Sequence, residues 1–124
     1  MGTGVGGIHH VALRVADCSR AAAFYSGVLG LPELRRFLDS SGAVRSVWLA
    51  AGDAVVMLER VLRGGEGQEG TGHVLALAVD DLGSWAARLA AAGVPVIDRT
   101  EYTLSVKDPD GHRLGLTVFG RTRP

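Results

Sequence analysis

The chain is written twice. Residues 7–16 read GIHHVALRVA and residues 72–80 read GHVLALAVD, in each case a glycine followed by apolar residues at every second position. That alternation is the period of a β-strand, and its recurrence marks an internal repeat. Each run meets an aspartate suited to cap a helix, Asp17 in the first copy and Asp80 or Asp81 in the second. Alanine-rich stretches follow, both ending at a glycine (Gly30, Gly93) with a proline two residues later (Pro32, Pro95). In the second stretch Leu82, Trp85, Ala86 and Leu89 recur at helical spacing, which predicts one face packed on a sheet. Three strand-like pieces complete each copy, 33–39, 44–50 and 54–61 in the first and 95–98, 102–107 and 112–119 in the second. Gly52-Asp53 and Asp108-Pro109-Asp110-Gly111 punctuate them as turns. The reading is an α+β fold of tandem βαβββ modules, 8–61 and 72–120. A glycine-rich, charged linker (62–71) joins them, and residues 1–7 form a flexible tail. Modules of roughly fifty residues are too small to bury a core alone, so the two are expected to form one domain.

Composition narrows the partners. Of 124 residues 47% are hydrophobic, which excludes a disordered chain. Thirteen basic residues balance thirteen acidic ones, so there is no cationic excess for a nucleic acid and no barrier to self-association. No run approaches the roughly 20 apolar residues of a membrane span. The first residues contain G-x-G-x-x-G from Gly2 to Gly7, but a strand rather than a helix follows it, so it lacks the context of a dinucleotide loop. Cys18 is the sole cysteine, which rules out an internal disulfide and points to a cytoplasmic protein. Two readings of it stand: a thiolate favoured by a helix start, or a small residue at a helix entry.

His10-Val11-Ala12-Leu13-Arg14-Val15, then Ala23-Phe24-Tyr25 and Val28-Leu29-Gly30-Leu31, resemble the opening module of the vicinal oxygen chelate superfamily. That superfamily holds glyoxalase I, the bleomycin- and fosfomycin-resistance proteins and the extradiol dioxygenases. Leu77-Ala78-Val79-Asp80-Asp81, Ala91-Ala92-Gly93-Val94 and the 108–111 turn resemble its second module. The resemblance implies mixed sheets curled around a cavity and a homodimer. In metal-dependent members it implies up to four ligands: a His or Gln on the first strand, an acidic residue late in module one, a His on the first strand of module two, and a Glu on its last strand.

Alternation places Val11, Leu13 and Val15 toward the helix and His10, Ala12 and Arg14 toward the cavity. His10 thus matches the first ligand. The other positions fall on Met57, Val74 and Gly115, and Glu59 lies two residues beyond Met57 on the same face. His10 and Glu59 are the only possible metal ligands, where catalytic sites use about three protein donors. No cofactor is therefore expected, with a divalent metal as the alternative. His9 is expected on the opposite face and His112 in a turn. The expected lining comprises His10, Arg14, Met57, Glu59 and Arg113 among small residues, with Trp48 as either a stacking surface or core. Arg14 and Glu59 read equally as ligand-orienting groups or as an ion pair.

Three functions remain open. The first is a metal-independent binding protein that takes an antibiotic or metabolite in the cavity. The second is an enzyme, a lyase, isomerase or dioxygenase using His10 and Glu59 with or without an atypical metal. The third is a non-catalytic subunit with a filled cavity.

Overall fold

The computed structural model describes residues 4–61 and 73–119. The expected linker, 62–71, lies outside them. The described residues form two four-stranded mixed sheets. In chain order β1 (His10–Val15), α1 (Cys18–Ala22), β2 (Glu33–Leu38), β3 (Val44–Ala51) and β4 (Ala54–Arg60) build the first. Then β5 (Val74–Ala78), α2 (Leu82–Ala91), β6 (Asp98–Arg99), β7 (Thr103–Lys107) and β8 (Arg113–Thr117) build the second. Strand order is β1-β4-β3-β2 in one and β5-β8-β7-β6 in the other, so the repeat in sequence is a repeat in topology. In each sheet the first strand pairs parallel with the last, and the remaining pairs are antiparallel.

The caps explain where the helices begin. Asp17 accepts the Arg20 amide at 3.0 Å and Asp81 the Ser84 amide at 3.1 Å, each meeting a donor that a helix start leaves unpaired. Gly30 (φ +80°) and Gly93 (φ +74°) follow the two helices in left-handed backbone, which side chains strongly disfavour. The first helix differs from expectation in one respect. After Ala22 it widens into a π-helical segment over Ala23–Val28, with the Leu29 amide reaching back to the Phe24 carbonyl at 3.0 Å. Strand β6 has two residues, Asp98–Arg99, where 95–98 was expected; Pro95 has no amide hydrogen to give a ladder.

Each sheet buries one face beneath its helix. Val15, Val47, Leu49 and Leu58 are fully buried in the first module, and Leu104, Val106 and Leu114 in the second. The turn 108–112 fastens the second module to the first. Tyr25 Oη donates to Asp108 Oδ2 at 2.7 Å, while the Asp110 and His112 amides donate to Asp108 Oδ1 at 2.9 and 2.8 Å. The Ala16 amide donates to Asp110 Oδ1 at 2.8 Å, and His112 Nε2 donates to the Arg14 carbonyl at 2.7 Å. Burial first, and then the Asp108 charge, push the Tyr25 hydroxyl far above the ordinary phenol range, so it remains a donor. Among the described residues no helix is long and apolar enough to cross a membrane.

Candidate ligand-binding site

The sheet face turned away from α1 carries the sequence candidates in two adjacent rows. Registers place Ala12 beside Met57, Met57 opposite Trp48, and Trp48 opposite Arg35. The next row runs Arg14, Glu59, Ser46, Phe37. His10 stands beside Val55 at the near end. Five candidates, His10, Arg14, Trp48, Met57 and Glu59, therefore share one face. Arg113 lies in the second sheet, beside Val74, with its guanidinium 3.2 Å from Asp98.

His10 and Glu59 are not adjacent. Glu59 lies four positions along β4 from Val55, the partner of His10, or about 13 Å at the rise of a strand. The Ala12–Met57 pair stands between them. Arg14 and Glu59 are register partners, yet neither forms an ion pair among the described residues. The closure that such a pair would provide is therefore not made, and both groups face the sheet surface.

Strand alternation missed three features. His9 does not stay on the opposite face: it precedes the strand, and its Nδ1 lies 2.9 Å from Nδ1 of His10, ring edge to ring face. Arg35 and Phe37 complete the face through β2, whose register was not readable because bulges interrupt it beside both residues. The Phe37 and Trp48 rings touch at 5.3 Å between centroids, and the Arg35 guanidinium covers both at 5.0 and 5.9 Å. Arg45 approaches Phe37 at 5.8 Å. Below them Ser46 is 6% exposed, and its hydroxyl has no hydrogen-bond partner among the described residues.

The equivalent face of the second module is a floor of small residues. Ala76, Gly115 and Ser105 align in one row, and Ala78, Thr117 and Thr103 in the next, with the two threonine hydroxyls bonded at 2.9 Å. A side chain at Gly115 would press on Thr103 Cγ2 at 3.2 Å. Where β1 and β5 edges approach, a cleft of about 370 Å³ is lined by Arg14, His73, Val74, His112 and Arg113 among others. A second cleft of about 460 Å³ along the same seam is apolar, with Val11, Leu31, Val55 and Leu77 among its walls.

Cys18 is buried. Its thiol donates toward the Arg45 and Leu58 carbonyls at 3.4 and 3.6 Å, and burial pushes its pKa up. It is a packed, protonated thiol, the helix-entry reading of the two.

Register also tests the metal positions. His10 and Val74 open β1 and β5, and Met57 pairs with Ala12 as Gly115 pairs with Ala76, so the four positions are equivalent between modules. They supply one imidazole, one thioether and two residues without a donor. Among the described residues no group of three or more His, Cys, Asp or Glu is placed to hold a metal ion. This donor set does not fit a divalent metal.

Two βαβββ modules, each burying one sheet face and presenting the other, define a paired-module α+β fold. Residues 7–116 match the family model of the Glyoxalase/Bleomycin resistance protein/Dioxygenase superfamily, and the chain belongs to that superfamily. A relative from Vibrio cholerae described as a probable lactoylglutathione lyase is 31% identical, with 88% of each chain covered. Among solved structures, the fosfomycin resistance protein FosX from Mesorhizobium loti superposes with a TM-score of 0.75 at 22% identity, covering 92% of both chains. TnmS3, an antibiotic-binding protein from a Streptomyces species, superposes with a TM-score of 0.74 at 23% identity, covering 94% of this chain and 98% of that one. Identities this low establish a shared fold.

Proposed function

We propose that this protein binds a small organic molecule, an antibiotic or a metabolite, against the helix-free sheet faces without a metal ion. One observation carries the reading. The positions where a metal-dependent member needs donors hold Met57, Val74 and Gly115, while the same face retains an aromatic wall and, among the described residues, Arg14 and Glu59 outside any ion pair. Apolar walls with sparse orienting groups are the make-up of a ligand pocket. Met57 and Trp48 supply the wall; His10, Arg14, Glu59 and, across the seam, Arg113 supply the orienting groups. TnmS3 binds an antibiotic on the same fold, which agrees with this reading. A second copy of the chain covers these faces in the form that binds, since Trp48 and Met57 are only partly buried and Val74 is 54% exposed in a single chain. Light scattering is expected to report a dimer.

The test is a thermal-shift screen of metabolites and antibiotics on chelator-treated protein. A stabilising compound is expected, with its shift unchanged by added chelator and lost in Trp48→Leu. Stabilisation that requires Zn²⁺ or Ni²⁺ contradicts the proposal.

The lyase relative favours a second reading, an enzyme in which His10 is the base and Glu59 assists. Formation of lactoylglutathione by protein supplied with Ni²⁺ or Zn²⁺, abolished in His10→Ala, would establish it. The first reading predicts no turnover above background.

A further inference from the structure

We infer that the ligand is a flat, conjugated ring system carrying an acidic group, seated on Trp48 with its anion at Arg35. The inference rests on the binding function proposed above and adds the chemical class.

The shape term comes from the rings. Trp48 and Phe37 meet at 5.3 Å on the helix-free face, and Met57 extends the Trp48 row toward Ala12. Ala12 is exposed and Met57 partly buried, so the surface beside Trp48 is low and apolar. A planar ring laid there gains dispersion and offset stacking along its whole face, which a branched aliphatic ligand does not.

The charge term comes from the arginines. Arg20, Arg36, Arg60 and Arg113 have carboxylate partners within ion-pair distance, whereas Arg14, Arg35 and Arg45 have none among the described residues. Arg35 and Arg45 lie over the Phe37 ring at 5.0 and 5.8 Å, and Arg14 stands on the adjoining row. Stacking on a ring occupies the flat side of a guanidinium and leaves its N–H edge free, the geometry that grips a carboxylate with two parallel bonds. Glu59 is the single carboxylate in these rows, and it lies on the Arg14 side.

The experiment uses Trp85→Phe, in which Trp48 is the sole tryptophan, and reads its emission. Four probes separate the terms: naphthoate, naphthalenemethanol, the naphthylmethyl-trimethylammonium cation and cyclohexanecarboxylate. Naphthoate is expected to bind at least tenfold more tightly than each of the others. Arg35→Gln, a change at an exposed residue that spares the fold, is expected to reduce naphthoate affinity at least tenfold and to leave naphthalenemethanol within twofold. Equal or tighter binding of the cation, or of cyclohexanecarboxylate, overturns the ligand class while leaving a small-molecule site at Trp48 in place. An Arg35→Gln variant that retains the naphthoate preference overturns the assignment of the anion. No emission change with any probe also overturns the proposal, and the thermal-shift screen then decides the wider reading separately.

Discussion

Replacing Tyr25 by phenylalanine removes one oxygen from the place where the two modules are fastened. The Tyr25 hydroxyl donates to Asp108 Oδ2 at 2.7 Å with both residues buried, Tyr25 fully and Asp108 at 5% exposed. The other carboxylate oxygen accepts two turn amides and has no geometry with which to compensate. A hydrogen bond to a charged acceptor contributes about 1.5–3 kcal/mol, and its loss here strands a buried oxygen. For a chain of this length that corresponds to a fall in Tm of about 6–12 °C. A pH series adds a signature that lost packing cannot imitate. The phenol is held protonated in the folded state, so its contribution is complete below the unfolded tyrosine pKa of about 10 and fades as pH rises above it. The Tm gap between wild type and Tyr25→Phe should therefore be constant from pH 6 to about 9 and narrow progressively above pH ~10. Tyr102 is present in both proteins and cancels from the difference. A gap below 2 °C, or one that stays constant through the alkaline range, refutes the reasoning.

Two further outcomes follow from the same geometry. Installing the missing donors as Met57→Glu, Val74→His and Gly115→Glu together with the native His10 should confer stoichiometric Zn²⁺ or Ni²⁺ in elemental analysis, where wild type holds little; equal metal in both contradicts the account of the face. This variant should be less stable, because a side chain at position 115 meets Thr103 at 3.2 Å. Asp39 is held well below the ordinary carboxylate range, first by the Ser41 hydroxyl and then by Arg60 at 2.9 Å. Its contribution is present above the unfolded pKa of about 4 and lost as pH falls further, so urea midpoints of wild type and Asp39→Asn should differ at pH 7 and converge in acid.

The fold was legible because its information is local and stated twice. Alternation in 7–16 and 72–80 orients both first strands, and aspartates and glycines bracket both helices. The turn at 108–112 was legible as a turn but not as a clasp, since its partners Tyr25, Ala16 and Arg14 lie some 80 to 100 residues away in sequence. The site was half legible for a related reason. His10, Arg14, Met57 and Glu59 lie on strands whose parity follows from their own hydrophobic pattern. Arg35 and Phe37 lie on an edge strand whose bulges break that parity, and only pairing with β3 brings them to Trp48. His9 escaped because it lies just outside β1, where alternation no longer governs its side chain.

The central claim, a metal-free small-molecule face built on Trp48, is tested most directly by a ¹H–¹⁵N NMR titration of chelator-treated protein with naphthoate. The account predicts that the Trp48 indole N–H and the amides of Ala12, Met57 and Phe37 shift together and saturably, while the Trp85 indole stays unmoved. Shifts confined to other parts of the molecule, or shifts that arise only after Zn²⁺ or Ni²⁺ is added, would contradict it.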